Sequence, residues 1–170
     1  ETIVAAGPNS ALPHARPSDR VLEDGDLVVC DLGAVVGGYR SDMTRSYRVG
    51  GRSGGREDEG RDAARRSQAA GLALVADGVP LADVDAACRD VLAEAGLAEA
   101  FVHGTGHGVG LDIHEAPALS GSATGTLRSG HVVTVEPGAY LAGLGGVRWE
   151  DTVLVTDDGH RVLTLAPRAD

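Results

Sequence analysis

The stretch LVVCDLGAVVGGYRSDMTRSYR, Leu27 to Arg48, constrains the fold more than any other part of the chain. Two β-rich runs flank Gly37-Gly38, and a glycine pair between such runs signals a two-residue turn in an antiparallel hairpin. Counting outward from the turn, Val36 faces Tyr39 and Asp31 faces Thr44. Side chains alternate along a strand, so Leu27, Val29, Asp31, Gly33 and Val35 share a face with Arg40, Asp42, Thr44 and Ser46. Asp31 and Asp42 then lie diagonally on that face, roughly 7–8 Å apart at the backbone and within reach of one cation. An exposed hairpin with two solvated acids is the plainer alternative. Against it, Asp31 ends the apolar run Leu27-Val28-Val29-Cys30, where a buried carboxylate is costly unless something cationic compensates it. The opposite face, carrying Val28, Cys30, Leu32 and Val36, is apolar and needs a cover.

A chain of 170 residues suits a single domain, 1–170, with a real core. The formal net charge of −10 argues against nucleic acid or an anionic membrane as the main partner. There is no lysine, so Arg carries every basic side-chain charge. The two cysteines make no disulfide framework. Cys30 lies on the hairpin face opposite Asp31 and Cys88 on the apolar side of a predicted helix, so both read as buried reduced thiols. No apolar run is long enough to span a membrane, and a cytoplasmic location is expected. The chain opens at Glu1 without a methionine, which suggests a fragment.

Taken in order, a short strand is expected over Thr2–Ala5, followed by turns at Gly7-Pro8-Asn9-Ser10 and around His14, which sits in the segment Pro13-His14-Ala15-Arg16-Pro17. After the hairpin and a Gly-rich loop, a helix is expected from about Glu57 to Ala76. Its first half offers few large apolar residues and reads as a weakly anchored, solvated segment. Asp77-Gly78 closes it, and a second helix runs from Leu81 to Ala95 with Val84, Cys88, Val91 and Leu92 on its apolar stripe. Both helices read as scaffold. The run FVHGTGHGVGLDIHEAP, Phe101 to Pro117, differs in kind. It gathers His103, His107 and His114 in a Gly-rich segment, where backbone can approach a bound group and neutral imidazole can serve as a metal ligand. Strands over His131–Glu136 and Val147–Thr156 follow, each carrying a glutamate, Glu136 and Glu150, at or near the end of an apolar stretch. The last strand is expected over Arg161–Leu165.

Asp31, Asp42, His107, Glu136 and Glu150 thus form a set of four carboxylates and one imidazole. Such an oxygen-rich set suits Mn, Fe, Co or Zn. Four carboxylates overcharge one divalent ion, whereas two ions balance them, with some carboxylates bridging. Two neighbouring cations activate water and clamp a developing oxyanion, so hydrolysis is the expected chemistry. The chain has no GxSxG nucleophile elbow, no P-loop and no dinucleotide fingerprint.

These residues resemble a known family. Asp31 and Asp42 in DLGAVVGGYRSDMTR, His107 in HGTGHGVGLDIHE, Glu136 in VTVEPG and Glu150 in VRWEDTVLVT resemble the five-ligand signature of the pita-bread-fold metallopeptidases. His103, the PHARP segment around His14, and Arg148 bring the resemblance closer to the Xaa-Pro peptidases, aminopeptidase P and prolidase, than to methionine aminopeptidases. The resemblance implies an α+β pita-bread fold, a curved antiparallel sheet flanked by helices. It also implies two divalent ions, Mn2+ first, with Co2+, Zn2+ or Fe2+ as alternatives. Asp31 would bind one ion, His107 and Glu136 the other, with Asp42 and Glu150 bridging and Glu136 shuttling a proton for a bridging hydroxide. His14, His103 and His114 would face the substrate, a peptide with proline in second position, while Arg148 holds ligand carboxylates. Relatives carry a helical stretch and a first strand before the position of Glu1, so part of one α/β lobe is expected to be missing and the chain to form a homo-oligomer. Removal of N-terminal methionine, a non-catalytic peptide-binding module and a metal-independent amidinohydrolase of the same fold are the competing functions. The complete carboxylate set argues against the last two.

Overall fold

A computed structural model describes residues 2–51 and 55–168. Strands β1 (Ile3–Ala6) and β2 (Leu27–Leu32) pair antiparallel, as do the two-residue strands β3 (Val35–Val36) and β4 (Tyr39–Arg40), while β5 (Met43–Arg48) adds to the other side of β2. Helices α1 (Arg56–Leu74) and α2 (Leu81–Glu94) follow. Next come β6 (Gly106–Gly108), β7 (Glu115–Leu119), β8 (Val132–Val135), β9 (Gly138–Leu141), β10 (Gly145–Arg148), β11 (Asp151–Thr156) and β12 (Gly159–Val162). Five of these form an antiparallel sheet in the order β12-β11-β8-β6-β7, and β9 and β10 pair as a hairpin. The architecture is α+β. No helix among the described residues is long and apolar enough to cross a membrane.

The hairpin has the expected register, with Asp31 opposite Thr44 and Val36 opposite Tyr39. Gly37 and Gly38 take φ of 60° and 90°, the paired positive values that a two-residue turn of right-handed twist requires. The ladder is nevertheless interrupted between Leu32 and Val35, because Gly33 lets the backbone of Ser41 come close. A Cβ at Gly33 would sit 1.9 Å from the Ser41 carbonyl oxygen. Ser41 takes over the linkage, its Oγ accepting from the Ala34 amide at 3.0 Å while its own amide donates to the Ala34 carbonyl at 2.9 Å.

The core lies between the helices and the sheet strands. Val133, Val135, Val153 and Val155 alternate along β8 and β11 and are fully buried with Val84, Cys88, Leu92 and Trp149. The expectation that the first half of α1 is weakly anchored does not hold. Ala63 and Ala64 are fully buried, and Ser67 and Gln68 are buried beside them. Small residues let the helix approach closely, and polar ones fix it: Ser67 Oγ donates to the Cys88 carbonyl at 2.8 Å and Gln68 Nε2 to the Val135 carbonyl at 3.2 Å. The last strand, expected to begin at Arg161, starts at Gly159 and ends at Val162.

The β1-β2-β5 sheet is stitched to the rest along β5. Ser46 Oγ donates to the Arg148 carbonyl and accepts from the Arg148 amide, both at 3.0 Å, and the Glu150 amide donates to the Thr44 carbonyl at 3.2 Å. The outer face of that sheet is poorly covered. Val28 is buried and Cys30 half-buried, but Val4, Leu32 and Tyr47 are 56%, 40% and 38% exposed, and Val36 at the hairpin tip is 77% exposed. β1 is also an edge strand, and such an edge beside an apolar face recruits other chains. The chain is therefore expected to self-associate. Sedimentation at rising concentration should show species heavier than the monomer, and Val4→Lys with Leu32→Lys should shift the distribution back. A monomer at all concentrations would remove this expectation.

Candidate active site

Five positions in or beside strands deliver side chains to a common cavity of 340 Å³. Asp31 comes from the end of β2, Asp42 from the residue before β5, His107 from β6, Glu136 from the residue after β8, and Glu150 from the step between β10 and β11. His14, His103, His114 and Arg148 line the same cavity, so all nine side chains singled out in the sequence meet there. A second cavity of 430 Å³, also lined by His14, Asp31, Asp42 and His114, continues past Val35, Arg40 and Ile113.

Asp42, His107 and Glu150 form a close group, their ligand atoms all within 4.8 Å of one another. His107 Nε2 is 3.2 Å from Glu136 Oε1 and 3.7 Å from Asp42 Oδ2. Its other nitrogen, Nδ1, is 3.0 Å from the Gly108 carbonyl, which can only accept, so Nδ1 carries the hydrogen and Nε2 faces the acids. β6 can lie this close to β8 because Gly106 has no side chain. A Cβ there would sit 2.0 Å from the Thr134 carbonyl oxygen. Thr134 Oγ1 accepts from the His107 amide at 3.0 Å and donates to Glu136 Oε1 at 3.1 Å, locking ligand candidates on two strands together.

Asp31 stands apart from that triplet and is held by Arg148. Arg148, 3% exposed, donates from Nη2 to Asp31 Oδ2 at 2.5 Å, from Nη1 to the Tyr140 hydroxyl at 2.8 Å, and from Nε to Thr44 Oγ1 at 3.0 Å. Thr44 passes the contact on, donating to Glu150 Oε2 at 2.6 Å. Thr44 and Tyr140 were missed as site residues in the sequence. Thr44 was legible as sharing the face of Asp31 and Asp42, but nothing in the sequence tied it to Glu150, 106 positions away. Tyr140 also donates to His103 Nε2 at 2.8 Å, since His103 Nδ1 already gives its hydrogen to the Gly104 carbonyl at 2.8 Å. Burial, above all, holds His103 below its usual pKa, consistent with this neutral form. The same burial pushes Tyr140 up to about 12, against the pull of Arg148.

Packing these acids together is electrostatically unfavourable without a cation. Burial, with the charges of Asp31 and Glu136, raises the Asp42 carboxyl to about 6. Burial, then Glu136 and Asp42, pushes Glu150 well above the ordinary carboxylate range. For Glu136 burial acts upward but is outweighed by His107, leaving it low, and for His107 burial acts downward but is outweighed by Glu136, leaving it high. A proton on His107 thus does part of the compensation a metal would do. Glu150 Oε1 is buried with no hydrogen-bond partner. An orphaned carboxylate oxygen costs free energy, and a cation among three more acids and an imidazole removes that cost. The donor set fits divalent ions.

Comparison with known proteins bears on what such a site does. The family model described as Metallopeptidase family M24 matches residues 1–157. The Xaa-Pro dipeptidase of Pyrococcus furiosus is 42% identical over 168 residues, covering 99% of this chain and 48% of that protein. The probable dipeptidase PepE of Mycobacterium tuberculosis is 47% identical over 164 residues, covering 92% of this chain and 42% of its own length. Among solved structures, the Xaa-Pro dipeptidase from Bacillus anthracis superposes with a TM-score of 0.95 at 44% identity, covering 99% of this chain and 47% of that one. Escherichia coli aminopeptidase P superposes at 0.88 with 27% identity, covering 99% and 44%. The chain spans about half the length of the curated relatives it matches.

Proposed function

The chain belongs to metallopeptidase family M24 and has its pita-bread fold, and from that premise we propose that it is a dinuclear metallo-exopeptidase cleaving Xaa–Pro bonds at peptide N-termini or in dipeptides. The observation that carries the proposal is the convergence of Asp42, His107 and Glu150 beside Glu136 and Asp31, with one buried Glu150 oxygen unpartnered. Asp31, Asp42, His107, Glu136 and Glu150 would hold two divalent ions, Mn2+ first among them. When bound, these supply a water of lowered pKa and polarisation of the scissile carbonyl.

The protein's own groups do the rest. Glu136 Oε1, already paired with an imidazole nitrogen, accepts the proton that water gives up and returns it to the leaving nitrogen. Arg148 neutralises Asp31 on one side and reaches Glu150 through Thr44 on the other, keeping both carboxylates oriented. His14 and His114 line both cavities, in reach of a peptide that spans them, and would contact it around the scissile bond. His103 faces the inner cavity, its neutral ring held by Tyr140.

Peptides with proline in second position should be hydrolysed when Mn2+ or Co2+ is supplied, and a chelator should abolish the activity. No metal-dependent cleavage of any Xaa-Pro substrate overturns the proposal, and equal turnover of Met-Ala peptides points instead to removal of N-terminal methionine. A paired substitution separates ligands from helpers. His107→Ala should strip bound metal, whereas His103→Ala should leave metal content near that of the parent while slowing turnover. Metal analysis beside the rate assay checks this, and equal metal loss in both variants contradicts the assignment.

A further inference from the structure

We infer that Asp85 on α2 is a positioning residue: with Arg89 it fixes the loop that carries His103 and His107, and through Thr105 it fixes Glu136. The inference rests on the reading above that these three groups belong to the site. Asp85 is a carboxylate with no exposure at all, on a helix that its sequence marks only as scaffold. A buried charge survives where its hydrogen bonds are complete, and here they come from Thr105 and from Arg89 one helical turn on, which itself grips the segment bearing Thr105. Asp85 Oδ1 accepts from the Thr105 amide at 3.0 Å and from Thr105 Oγ1 at 2.9 Å. Asp85 Oδ2 accepts from Arg89 Nε at 2.7 Å.

Arg89 continues the grip. Its Nη2 donates to the His103 carbonyl at 2.5 Å and its Nη1 to the Phe101 carbonyl at 3.1 Å, with the guanidinium 4.4 Å from the Phe101 ring centre. Three residues of the loop, 101, 103 and 105, are therefore tied by backbone groups to one helical turn. Thr105 then passes the position on, its carbonyl accepting from the Glu136 amide at 2.7 Å. His103 and His107 lie two residues to either side of Thr105. A residue held at its N–H by a buried anion and at its carbonyl by the Glu136 amide has little freedom to rotate. The imidazoles of His103 and His107 and the carboxylate of Glu136 inherit that rigidity. Placement of reacting groups to within a fraction of an ångström is worth orders of magnitude in rate, so such a clamp affects turnover beyond its effect on folding.

Thr105 provides the decisive comparison, because it too is fully buried. Thr105→Val keeps the shape and loses the hydroxyl, with its bond to Asp85 and its contact with the Cys88 thiol; Thr105→Ser keeps the hydroxyl and loses a methyl group. If the site depends on the clamp, Val is the damaging change. If Thr105 merely fills space, Ser is. Asp85→Asn is the second probe, since an amide placed between Thr105 and Arg89 must turn a donor toward one of them. Two readouts are needed. In metal-free, nitrogen-labelled protein, NMR reports the tautomer of His103 and the hydrogen-exchange protection of the Glu136 amide. In Mn2+-loaded protein, rates on an Xaa-Pro dipeptide give kcat and KM. For Thr105→Val and Asp85→Asn, we expect at least tenfold faster exchange at Glu136, loss of the single His103 tautomer and at least a tenfold fall in kcat with KM changed less. Thr105→Ser should stay within about threefold on both readouts. Unchanged exchange and tautomer in Thr105→Val and Asp85→Asn, or greater damage from Ser than from Val, overturns the inference. Because the NMR readout needs no metal and no substrate, a parent chain that fails to cleave Xaa-Pro peptides counts against the proposed function alone.

Discussion

Glu136→Gln is expected to lower turnover by about 10²–10⁴-fold, the range a positioned acid–base group contributes. The substitution keeps length and shape, and its amide oxygen can still accept from Thr134 Oγ1, which lies 3.1 Å from Oε1. The Glu136 main chain stays in place too, held by the hydrogen bond its N–H donates to the Thr105 carbonyl. What disappears is the negative charge and with it the proton acceptor, because an amide oxygen in the place of Oε1 can still face His107 Nε2 at 3.2 Å but is too weak a base to take a proton. Loss of charge weakens the hold on a cation, and loss of the acceptor leaves the attacking water's proton without a destination. Rates at saturating Mn2+, read beside metal content, separate the two losses. A variant with full metal occupancy and turnover within a few-fold of the parent shows that Glu136 is not the proton acceptor.

Asp151→Leu is expected to be the most destabilising single change near the site. Asp151 and Arg45 are each 1% exposed and meet at 2.8 Å. The same guanidinium donates from Nη1 to the carbonyls of Thr44 at 2.9 Å and Glu150 at 2.6 Å, so the pair holds β5 against the turn bearing Glu150. Gln68 Nε2 donates to the other Asp151 oxygen at 3.1 Å, and Arg168 pairs with it as well. Removing one member of a buried pair strands the other and costs about 3–5 kcal/mol. At roughly 2–4 °C per kcal/mol for a chain of this size, the midpoint of thermal unfolding should fall by about 6–20 °C. The double variant Arg45→Met with Asp151→Leu should lose less than Asp151→Leu alone, because no uncompensated charge remains buried. Circular dichroism melts of the three proteins check both statements. A melt of Asp151→Leu within a degree or two of the parent shows that the pair carries little of the stability.

The sequence by itself determined the parts that depend on local spacing. Gly37-Gly38 set the turn, period-two alternation then put Asp31 and Asp42 on one face, and the observed register agrees at every pair of the two ladders, on either side of the interruption at Gly33-Ala34 and Ser41-Asp42. The apolar stripe of α2 and the ends of both helices were likewise readable, since helical periodicity and the Gly and Pro signals act within a few residues. The sequence also presented Asp31, Asp42, His107, Glu136 and Glu150 as a set, because few purposes other than cation binding gather so many acids and an imidazole at strand ends. Only the tertiary structure decided how those groups are held. Arg148 reaches Asp31 and Tyr140 bridges Arg148 to His103 across sheets that no local pattern aligns. The anchoring of α1 went unread for a related reason. Local rules look for large apolar residues, whereas Ala63, Ala64 and Ser67 are buried because small side chains let two elements approach closely, a property of both partners together. Asp85 shows the same limit most plainly: on its own helix it is one more acid, and only Thr105, twenty residues away, makes it part of the site.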